Sequence, residues 1–273
     1  MRNLFATVIN SSALQSFGAR IRHIPVLGSF SHKVVRRLLP AGTRVASVVR
    51  KGPGAGLQLL LDPRFEAQYA DALYEPNLLK CLETHLRPGD VFYDIGGHIG
   101  FVTLVGARLV GPQGGVFAFE ADPENAARIL THIQMNSLPQ IELVQAAVWS
   151  ESKTLSFHRA PGSSSRNTGS VADGTANQGA DGLIVVEAIT LDSFAAAHRS
   201  PAVVKIDVEG AEEEVLKGAE TVFRTSKPTL ICEIHHARAA ENVPAWLASV
   251  GYHWKWLDAE TRFPRHLVAQ PNP

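Results

Sequence analysis

A chain of 273 residues is long enough for one large domain with appendages or for two small domains, and it can bury a sizeable core. Its composition, with 45% hydrophobic and 19% charged residues, is ordinary for a soluble globular protein. The two cysteines, Cys81 and Cys232, lie far apart and outside any metal-binding spacing. They argue against a disulfide framework and indicate a reducing, cytoplasmic compartment.

The net charge of zero conceals an asymmetry along the chain. Residues 1–61 carry nine Arg or Lys and no Asp or Glu, so the rest of the chain, with 17 basic and 26 acidic residues, has a net charge of −9. The first forty residues partly fit a helix face, and no apolar run approaches the roughly 18 residues that a membrane span needs. We favour packing of this basic segment on the acidic body or on a sister subunit. Peripheral contact with an anionic membrane surface and a transit peptide are the alternatives, and the oligomeric state stays open.

The predicted elements begin with a hairpin in "VASVVRKGPGAGLQLLLDP", whose two strands are joined by the turn Gly52–Gly56. A helix is predicted over residues 75–90. From Val91 onward, short apolar runs alternate with helical patterns, which predicts an α/β fold with a mostly parallel sheet covered by helices on both faces. The predicted strands are 91–96, 115–120, 141–148, 202–208 and 229–235, and the predicted helices are 100–110, 123–136, 210–224 and 241–250.

Two stretches depart from this alternation. The segments "YHWKWLD" and "HLVAQ" have no helix between them and predict an antiparallel hairpin at the end of the sheet. Earlier in the chain, candidate strands at 154–160 and 183–189 enclose residues 161–182, which contain five Gly, four Ser and no aromatic residue. That segment cannot bury enough apolar surface to fold alone, so we predict a mobile loop, either a substrate lid or plain disorder.

The turn "DIGGHIG" follows the first main strand and opens a helix, which is where ligands bind in open α/β sheets. Its glycines permit positive φ angles and the close approach of a ligand to the backbone. The spacing does not match G-x-G-x-x-G. The carboxylate of Asp94 would repel a pyrophosphate and favour a cation. The turn therefore suits S-adenosylmethionine (AdoMet), with its sulfonium and ammonium groups, better than NAD.

The second main strand ends at Glu120, twenty residues beyond Gly100. An acidic side chain at this distance can accept hydrogen bonds from both ribose hydroxyls of a nucleotide cofactor. Taken alone, the position does not separate NAD from AdoMet. Asp122 and Pro123 then start a helix in the favoured order, and we interpret Asp122 as its N-cap.

Six segments occur in an order that is typical of one family: "VFYDIGGHIGFVTL", "VFAFEADPENAARIL", "LVQAAVWSESKTLSF", "ITLDSF", "VVKIDVEGAEEEVLKGAETVF" and "PTLICEIH". They resemble the FkbM-type methyltransferases, and the similarity covers roughly residues 50–269. The D-x-G-x-x-x-G turn is a weak signal alone and a strong one together with K-I-D-V-E-G-A-E. The resemblance implies an AdoMet-dependent methyltransferase that methylates a hydroxyl on a saccharide, polyketide or other small molecule. The family commonly has alanine and asparagine where this chain has Gly97 and His98.

Acidic and histidine side chains follow the next two main strands. Asp207 and Glu209 end one strand, and Glu233 and His235 end the next, so the four could form one pocket. Methylation of a hydroxyl needs alignment of the reactants and a proton acceptor. Asp207, His235 and His98 are the candidate bases, and we favour Asp207 because it belongs to the family pattern.

Two further features near this pocket have other interpretations. The four oxygen- and nitrogen-bearing side chains at the strand ends could bind a divalent metal, but we predict none. The helix that follows carries Glu212, Glu213 and Glu214 in its first turn, where negative charge is favourable. We interpret these three glutamates as capping and solubilising residues.

We therefore predict a basic N-terminal helical segment and hairpin at 1–61, followed by a methyltransferase domain at 62–270. The domain has a Rossmann-like fold with a mostly parallel seven-stranded sheet and a terminal antiparallel hairpin. The predicted catalytic residues are Asp207 and His235, and the predicted cofactor-binding residues are Asp94, Gly96, His98, Gly100 and Glu120.

Two rival functions use a similar sheet. One is an NAD(P)-linked oxidoreductase, and the other is a non-catalytic module that binds AdoMet. A nucleic-acid substrate is disfavoured because the sheet-bearing body is acidic and basic residues do not cluster near the predicted site.

Overall fold

The structure is a computed structural model that describes residues 42–71, 73–158, 170–171, 183–259 and 261–273. The predicted helical segment within residues 1–40 and most of the predicted loop at 161–182 lie outside these ranges. Within them, no helix has the length and apolar character that crossing a bilayer requires.

Thirteen strands and eight helices are present in the described ranges. The strands are β1 (Val45–Val48), β2 (Gln58–Leu61), β3 (Val91–Ile95), β4 (Gly115–Phe119), β5 (Ile141–Val144), β6 (Ala147–Val148), β7 (Lys153–His158), β8 (Ser170–Val171), β9 (Leu183–Ile189), β10 (Val203–Ile206), β11 (Thr229–Ile234), β12 (Tyr252–Trp256) and β13 (Arg265–Pro271). The helices are α1 (Ala67–Ala70), α2 (Pro76–His85), α3 (Phe101–Val110), α4 (Pro123–Asn136), α5 (Leu191–Ala195), α6 (Glu212–Lys217), α7 (Glu220–Thr225) and α8 (Ala237–Ser249).

The main sheet has seven strands in the order β12-β13-β11-β10-β3-β4-β5. Strands β11, β10, β3, β4 and β5 are parallel, while β13 pairs antiparallel with both β11 and β12. The predicted mostly parallel seven-stranded sheet with a terminal antiparallel hairpin is therefore confirmed. The strand order reverses between β3 and β10, which is the switch point where open α/β sheets form their ligand crevice.

The central strands are apolar along their length because helices cover both faces of the sheet. Neighbouring residues of β3 point to opposite faces, so Phe92 belongs to the hydrophobic core beneath α2 and α3, while Tyr93 belongs to the opposite core and contacts Phe194 of α5. The β1–β2 hairpin also contributes Leu59 and Leu61 to the first of these cores. The hairpin thus packs on the body that follows it, and the domain limit at residue 61 stays a prediction.

The predicted strand 141–148 is divided between two sheets. It breaks after β5, where Ala146 donates a backbone hydrogen bond to the carbonyl of Val144 at 2.9 Å. Strand β6 then pairs in parallel with β9 in a second sheet of order β6-β9-β7-β8. That sheet contains the two additional strands that the sequence predicts, and β8 falls within the predicted loop and pairs with β7.

The predicted helix 210–224 is two short helices, α6 and α7, for a packing reason. A Cβ on Gly218 would lie 2.0 Å from the carbonyl oxygen of Trp149, so the chain between the helices is pressed against that loop. The carboxylate of Asp192 accepts hydrogen bonds from the backbone N–H groups of Thr221 and Val222 at 2.9 Å. These bonds satisfy the first turn of α7 and allow a new helix to begin there.

Candidate active site

The glycine turn between β3 and α3 is fixed by close backbone packing. Gly96 has φ 81°, and a Cβ there would lie 1.8 Å from the carbonyl oxygen of Asp207 on the neighbouring strand. The N–H groups of Gly96 and Gly97 both donate to the carbonyl of Phe119, at 2.9 and 3.0 Å. Gly100, with φ 87°, begins α3. Glycine at positions 96 and 100 is therefore required by conformation, and at 96 also by the absence of space.

Asp94 occupies the predicted position at the end of β3, but its charge is compensated within the protein. The carboxylate is 0% exposed and accepts a hydrogen bond from the hydroxyl of Thr103 at 2.6 Å. Lys205 Nζ lies 3.1 Å from Asp94 Oδ1 and 3.4 Å from Asp207 Oδ2. Asp94 consequently presents no uncompensated charge to the crevice, so the electrostatic argument that it selects a cationic cofactor is not supported. Its assignment as a cofactor-binding residue stays a prediction.

Lys205 is a residue that the sequence analysis missed. It lies in the middle of the apolar strand β10, and its ammonium also donates to the carbonyl of Gly96 at 2.8 Å. Burial favours the neutral amine, but Asp94 and Asp207 raise the pKa of Lys205 above its ordinary value. The signal in the sequence is a single lysine within "VVKI", because a buried lysine requires anionic partners.

Glu120 joins the glycine turn as predicted. Its Oε2 accepts a hydrogen bond from the backbone N–H of His98 at 2.7 Å, and its Oε1 accepts one from Asp122 at 2.8 Å. Burial raises the pKa of Glu120 to about 7, although these two hydrogen bonds act in the opposite direction. Glu120 is 7% exposed and lies at the carboxyl end of β4, which is the position expected of a side chain that binds ribose.

His98 has φ 51°, and its half-buried imidazole lies beside Tyr69. The distance between His98 Nδ1 and the hydroxyl oxygen of Tyr69 is 3.4 Å. Burial, together with the charge of Arg128, lowers the pKa of His98 to about 4, so the ring is neutral at pH 7. Its Nε2 is buried and has no hydrogen-bond partner in the described part of the chain. A ligand in the crevice can supply that partner.

The predicted strand-end residues around His235 come together. Its Nε2 lies 3.3 Å from Glu233 Oε2, 3.4 Å from Glu209 Oε2 and 3.6 Å from Asp207 Oδ1. On the other side of the ring, Nδ1 is 2.6 Å from Glu212 Oε1. Burial opposes the charged ring, but Glu212 and Glu233 raise the pKa of His235 to about 10. His235 is therefore an imidazolium at pH 7 within a ring of carboxylates.

The interpretation of Glu212 as a solubilising residue is wrong. Its carboxyl group is fully buried, holds the ring of His235 and accepts a hydrogen bond from the backbone N–H of Gly210 at 2.9 Å. Glu213 and Glu214 do form partly exposed ion pairs, with Arg238 and Lys217. In the first turn of α6, Glu212 thus faces inward, whereas Glu213 and Glu214 fit the predicted role of solubilising residues.

Asp207 has the character of a carboxylate and not of a carboxylic acid. Burial favours its neutral form, but Lys205, followed by Glu233 and His235, holds the pKa of Asp207 below its ordinary value. Burial and the nearby carboxylates raise the pKa of Glu233 above its ordinary value. A proton in this pair is therefore held by Glu233, and Asp207 presents the charged oxygen.

A second histidine, His266, lies at the acidic site, and the sequence analysis did not predict it. His266 on β13 lies directly opposite Glu233 on β11 in the strand register. His266 Nε2 is 3.6 Å from Glu75 Oε2 and 3.9 Å from Glu233 Oε1. Its Nδ1 is 3.3 Å from Asp258 Oδ2. Burial lowers the pKa of His266, so the ring is neutral.

The fold is Rossmann-like, with a glycine turn after β3, an acidic residue after β4 and a polar pocket after β10 and β11. A family model described as the methyltransferase FkbM domain matches residues 94–254, which is more than half of the chain. The chain belongs to this FkbM methyltransferase family, as the sequence motifs predict.

One curated relative is the hexuronic acid methyltransferase AglP of Haloferax volcanii, which is 29% identical over 163 residues. That alignment covers 59% of this chain, and the chain spans 62% of the length of AglP. Similar solved structures include an FkbM methyltransferase from Methylobacillus flagellatus, with a TM-score of 0.47, 17% identity and coverage of 77% of this chain and 62% of that one. An AdoMet-dependent O-methyltransferase from Thermotoga maritima has a TM-score of 0.47, 11% identity and coverage of 79% and 73%. At these values the structural likenesses carry no weight for substrate or mechanism.

Proposed function

We propose that this protein is an AdoMet-dependent methyltransferase that methylates a hydroxyl group on a saccharide or another small metabolite. The observation that carries the proposal is the FkbM family match over residues 94–254. The match includes the glycine turn, Glu120, Asp207 and His235, and these groups converge at the carboxyl ends of neighbouring parallel strands.

The residues of the crevice fit AdoMet. Gly96 and Gly100 permit the backbone to approach a ligand, and Glu120 accepts two N–H groups while keeping lone pairs for ribose hydroxyls. The buried Nε2 of His98 supplies a further polar contact that the described protein atoms leave unused. Bound AdoMet supplies an electrophilic methyl group on its sulfonium.

Asp207 and His235 are the residues that we assign to the reacting centre. The acceptor hydroxyl must be aligned with the S–CH₃ bond and must lose its proton as the new C–O bond forms. Asp207 carries the negative charge needed to receive that proton, and the imidazolium of His235 can donate a hydrogen bond to a neighbouring acceptor oxygen. Lys205 and Glu212 hold these two side chains in place.

A saccharide acceptor is supported by two considerations. The relative AglP is named a hexuronic acid methyltransferase. In addition, the pocket formed by Asp207, Glu209 and Glu233 is rich in hydrogen-bond acceptors, which suit a polyhydroxylated molecule.

The test is incubation of the full chain with methyl-labelled AdoMet and a panel of saccharides that includes hexuronic acids. We expect label in a saccharide product and release of S-adenosylhomocysteine. The Asp207→Asn variant should lower kcat by about 10²- to 10⁴-fold while it still binds AdoMet. Glu213→Gln, which changes a partly exposed ion pair on the same segment, should retain full kcat.

Three results would count against the proposal. Stabilisation of the protein by NAD(H) and not by AdoMet would favour the oxidoreductase alternative. Tight AdoMet binding without transfer to any acceptor in a broad panel would favour a non-catalytic module. An unchanged kcat in Asp207→Asn would remove this residue from the reacting centre.

A further inference from the structure

The group of Glu75, Glu233 and His266 has an unusual arrangement of polar atoms. One ligand atom from each of the three residues lies within 4.8 Å of the other two. His266 is 7% exposed, and its Nε2 and the Oε2 of Glu75 are buried atoms without a hydrogen-bond partner among the described residues. The three side chains therefore face one another across distances that are too long for hydrogen bonds.

Asp258 determines which nitrogen of His266 faces this group. Its Oδ2 accepts a hydrogen bond from the backbone N–H of His266 at 2.7 Å and lies 3.3 Å from Nδ1 of the ring. A carboxylate beside Nδ1 favours the tautomer with the proton on that nitrogen, which leaves the lone pair of Nε2 directed at Glu75 and Glu233. The lone pair of Nε2 then converges with two carboxyl groups, and such an arrangement is repulsive unless a proton on a carboxyl group or a bound cation joins them.

We propose that Glu75, Glu233 and His266 bind a divalent transition-metal ion, with Asp258 orienting the histidine ligand. Atoms that share an ion at about 2.1 Å lie roughly 3 to 4 Å apart, and the distances of 3.6 and 3.9 Å from His266 Nε2 agree with this spacing. An imidazole with two carboxylates suits Zn²⁺, Mn²⁺ or Co²⁺ better than Ca²⁺ or Mg²⁺, which prefer oxygen alone. A carboxylate behind the ligating histidine is the usual outer contact of such a site.

The neighbouring group around His235 is a weaker candidate for the same ion. Asp207, Glu233 and His235 also lie within 4.8 Å of one another, but Lys205 already compensates Asp207 at 3.4 Å. Glu233 belongs to both groups and turns Oε1 to His266 and Oε2 to His235. An ion at His266 would therefore fix the carboxylate that contacts the proposed reacting centre.

The ion would also join the start of α2 to the main sheet. Glu75 precedes α2 in a left-handed conformation, with φ 39° and ψ 61°, and its side chain makes no capping hydrogen bond. A non-glycine residue in this conformation requires support from its surroundings. Coordination by β11 and β13 would supply that support.

The experiment is titration of the full, metal-depleted protein with Co²⁺, followed by its visible absorption, and elemental analysis after equilibration with Zn²⁺. We expect one equivalent of metal per chain. Glu75→Gln and His266→Gln should weaken Co²⁺ binding at least tenfold, and Asp258→Asn should weaken it about 10- to 100-fold. The matched controls Glu83→Gln, at an exposed position of α2, and His253→Gln, at an exposed position of β12, should bind Co²⁺ like the parent protein.

The His235→Gln variant separates the two groups. It should retain Co²⁺ binding if the ion lies at His266. Loss of binding in His235→Gln with retention in His266→Gln would overturn the proposal, as would the absence of stoichiometric binding in the parent protein. Circular dichroism of each variant identifies any loss of fold, and Asp258→Asn, which keeps all three ligands, provides a second test if His266→Gln does not fold.

Discussion

The strand-end site has two halves that differ in how their charges are balanced. The β3 half consists of Asp94, Lys205 and Asp207, and the β11 half consists of Glu75, Glu233 and His266. In the β3 half, Lys205 lies between Asp94 and Asp207, and the buried charges are paired. In the β11 half, Glu75 and Glu233 face the neutral ring of His266. Glu233 also lies 3.3 Å from the imidazolium of His235, whereas no Lys or Arg among the described residues forms an ion pair with Glu75. The β3 half therefore contains its own cation, whereas Glu75 in the β11 half is balanced only by a proton or a bound cation.

The largest expected loss of stability comes from replacing Lys205, the cation of the β3 half. Lys205→Met leaves Asp94 and Asp207 buried without their counter-charge, so we expect the free energy of unfolding to fall by about 3 to 5 kcal/mol. Lys217→Met removes an exposed lysine from a surface pair and should cost about 0 to 1 kcal/mol. Chemical denaturation measures both. A loss below 1 kcal/mol in Lys205→Met would show that the β3 half does not depend on its lysine.

A second test concerns the backbone of the same half. Gly96→Ala places a Cβ 1.8 Å from the carbonyl of Asp207 in a left-handed conformation, and should cost about 2 to 4 kcal/mol. Gly97→Ala is the matched control, because its Cβ meets side-chain atoms and no backbone: the flexible end of Ile129 at 3.1 Å, Thr103 Oγ1 at 3.4 Å and the Cβ of Ala118 at 3.8 Å. Thermal denaturation should separate the two variants clearly. Equal losses would contradict the assigned role of Gly96.

A third prediction uses the protonation of Glu120. Its pKa is raised to about 7, so the group is mostly protonated at pH 6 and mostly ionised at pH 8. If the ionised form accepts the ribose hydroxyls, the affinity for AdoMet should rise about tenfold between these pH values. Calorimetric titration of the parent protein measures this rise. Glu120→Gln should bind weakly at both pH values, and an equal pH response in this variant would assign the titration to another group.

The smallest expected effect is a gain in stability, and it comes from replacing Glu209, which lies beside the β11 half. Burial and the charges of Asp207 and Glu212 raise the pKa of Glu209, so the folded state disfavours its ionised form at neutral pH. Glu209→Gln should therefore leave stability unchanged or raise it by about 0 to 1 kcal/mol. The parent protein and the variant should become equally stable as the pH falls and Glu209 is protonated. A clear loss of stability at pH 7 would show that this carboxylate is already paired favourably.

The fold was predictable because its signals are local. Apolar runs alternate with helical periodicity, and the strand ends carry the acidic residues that the structure gathers into one crevice. The two missed contacts are both cross-strand pairs. Lys205 lies opposite Asp94 between β10 and β3, and His266 lies opposite Glu233 between β13 and β11. A single sequence does not give the register between strands that are distant along the chain, so these pairs could not be derived from it.

The errors on helices have a related cause. A first-turn glutamate such as Glu212 suits a helix N-terminus on local grounds, and only the packing of α6 beside β11 turns its side chain to His235. The break between α6 and α7 depends on Trp149, which is distant in sequence. Local preference therefore located the helical region correctly, while tertiary contacts decided its continuity and its buried face.

The smaller sheet has a consequence for the length of the chain that joins β7 to β9. Strands β7 and β9 pair from Lys153–Ala188 to His158–Leu183, so the ladder brings residues 158 and 183 side by side. Because the ladder already holds the two ends of the intervening stretch together, a change in the length of that stretch adds little to the entropic cost of loop closure. Insertions or deletions between these two anchor points need not shift the register of the seven-stranded sheet or the glycine turn.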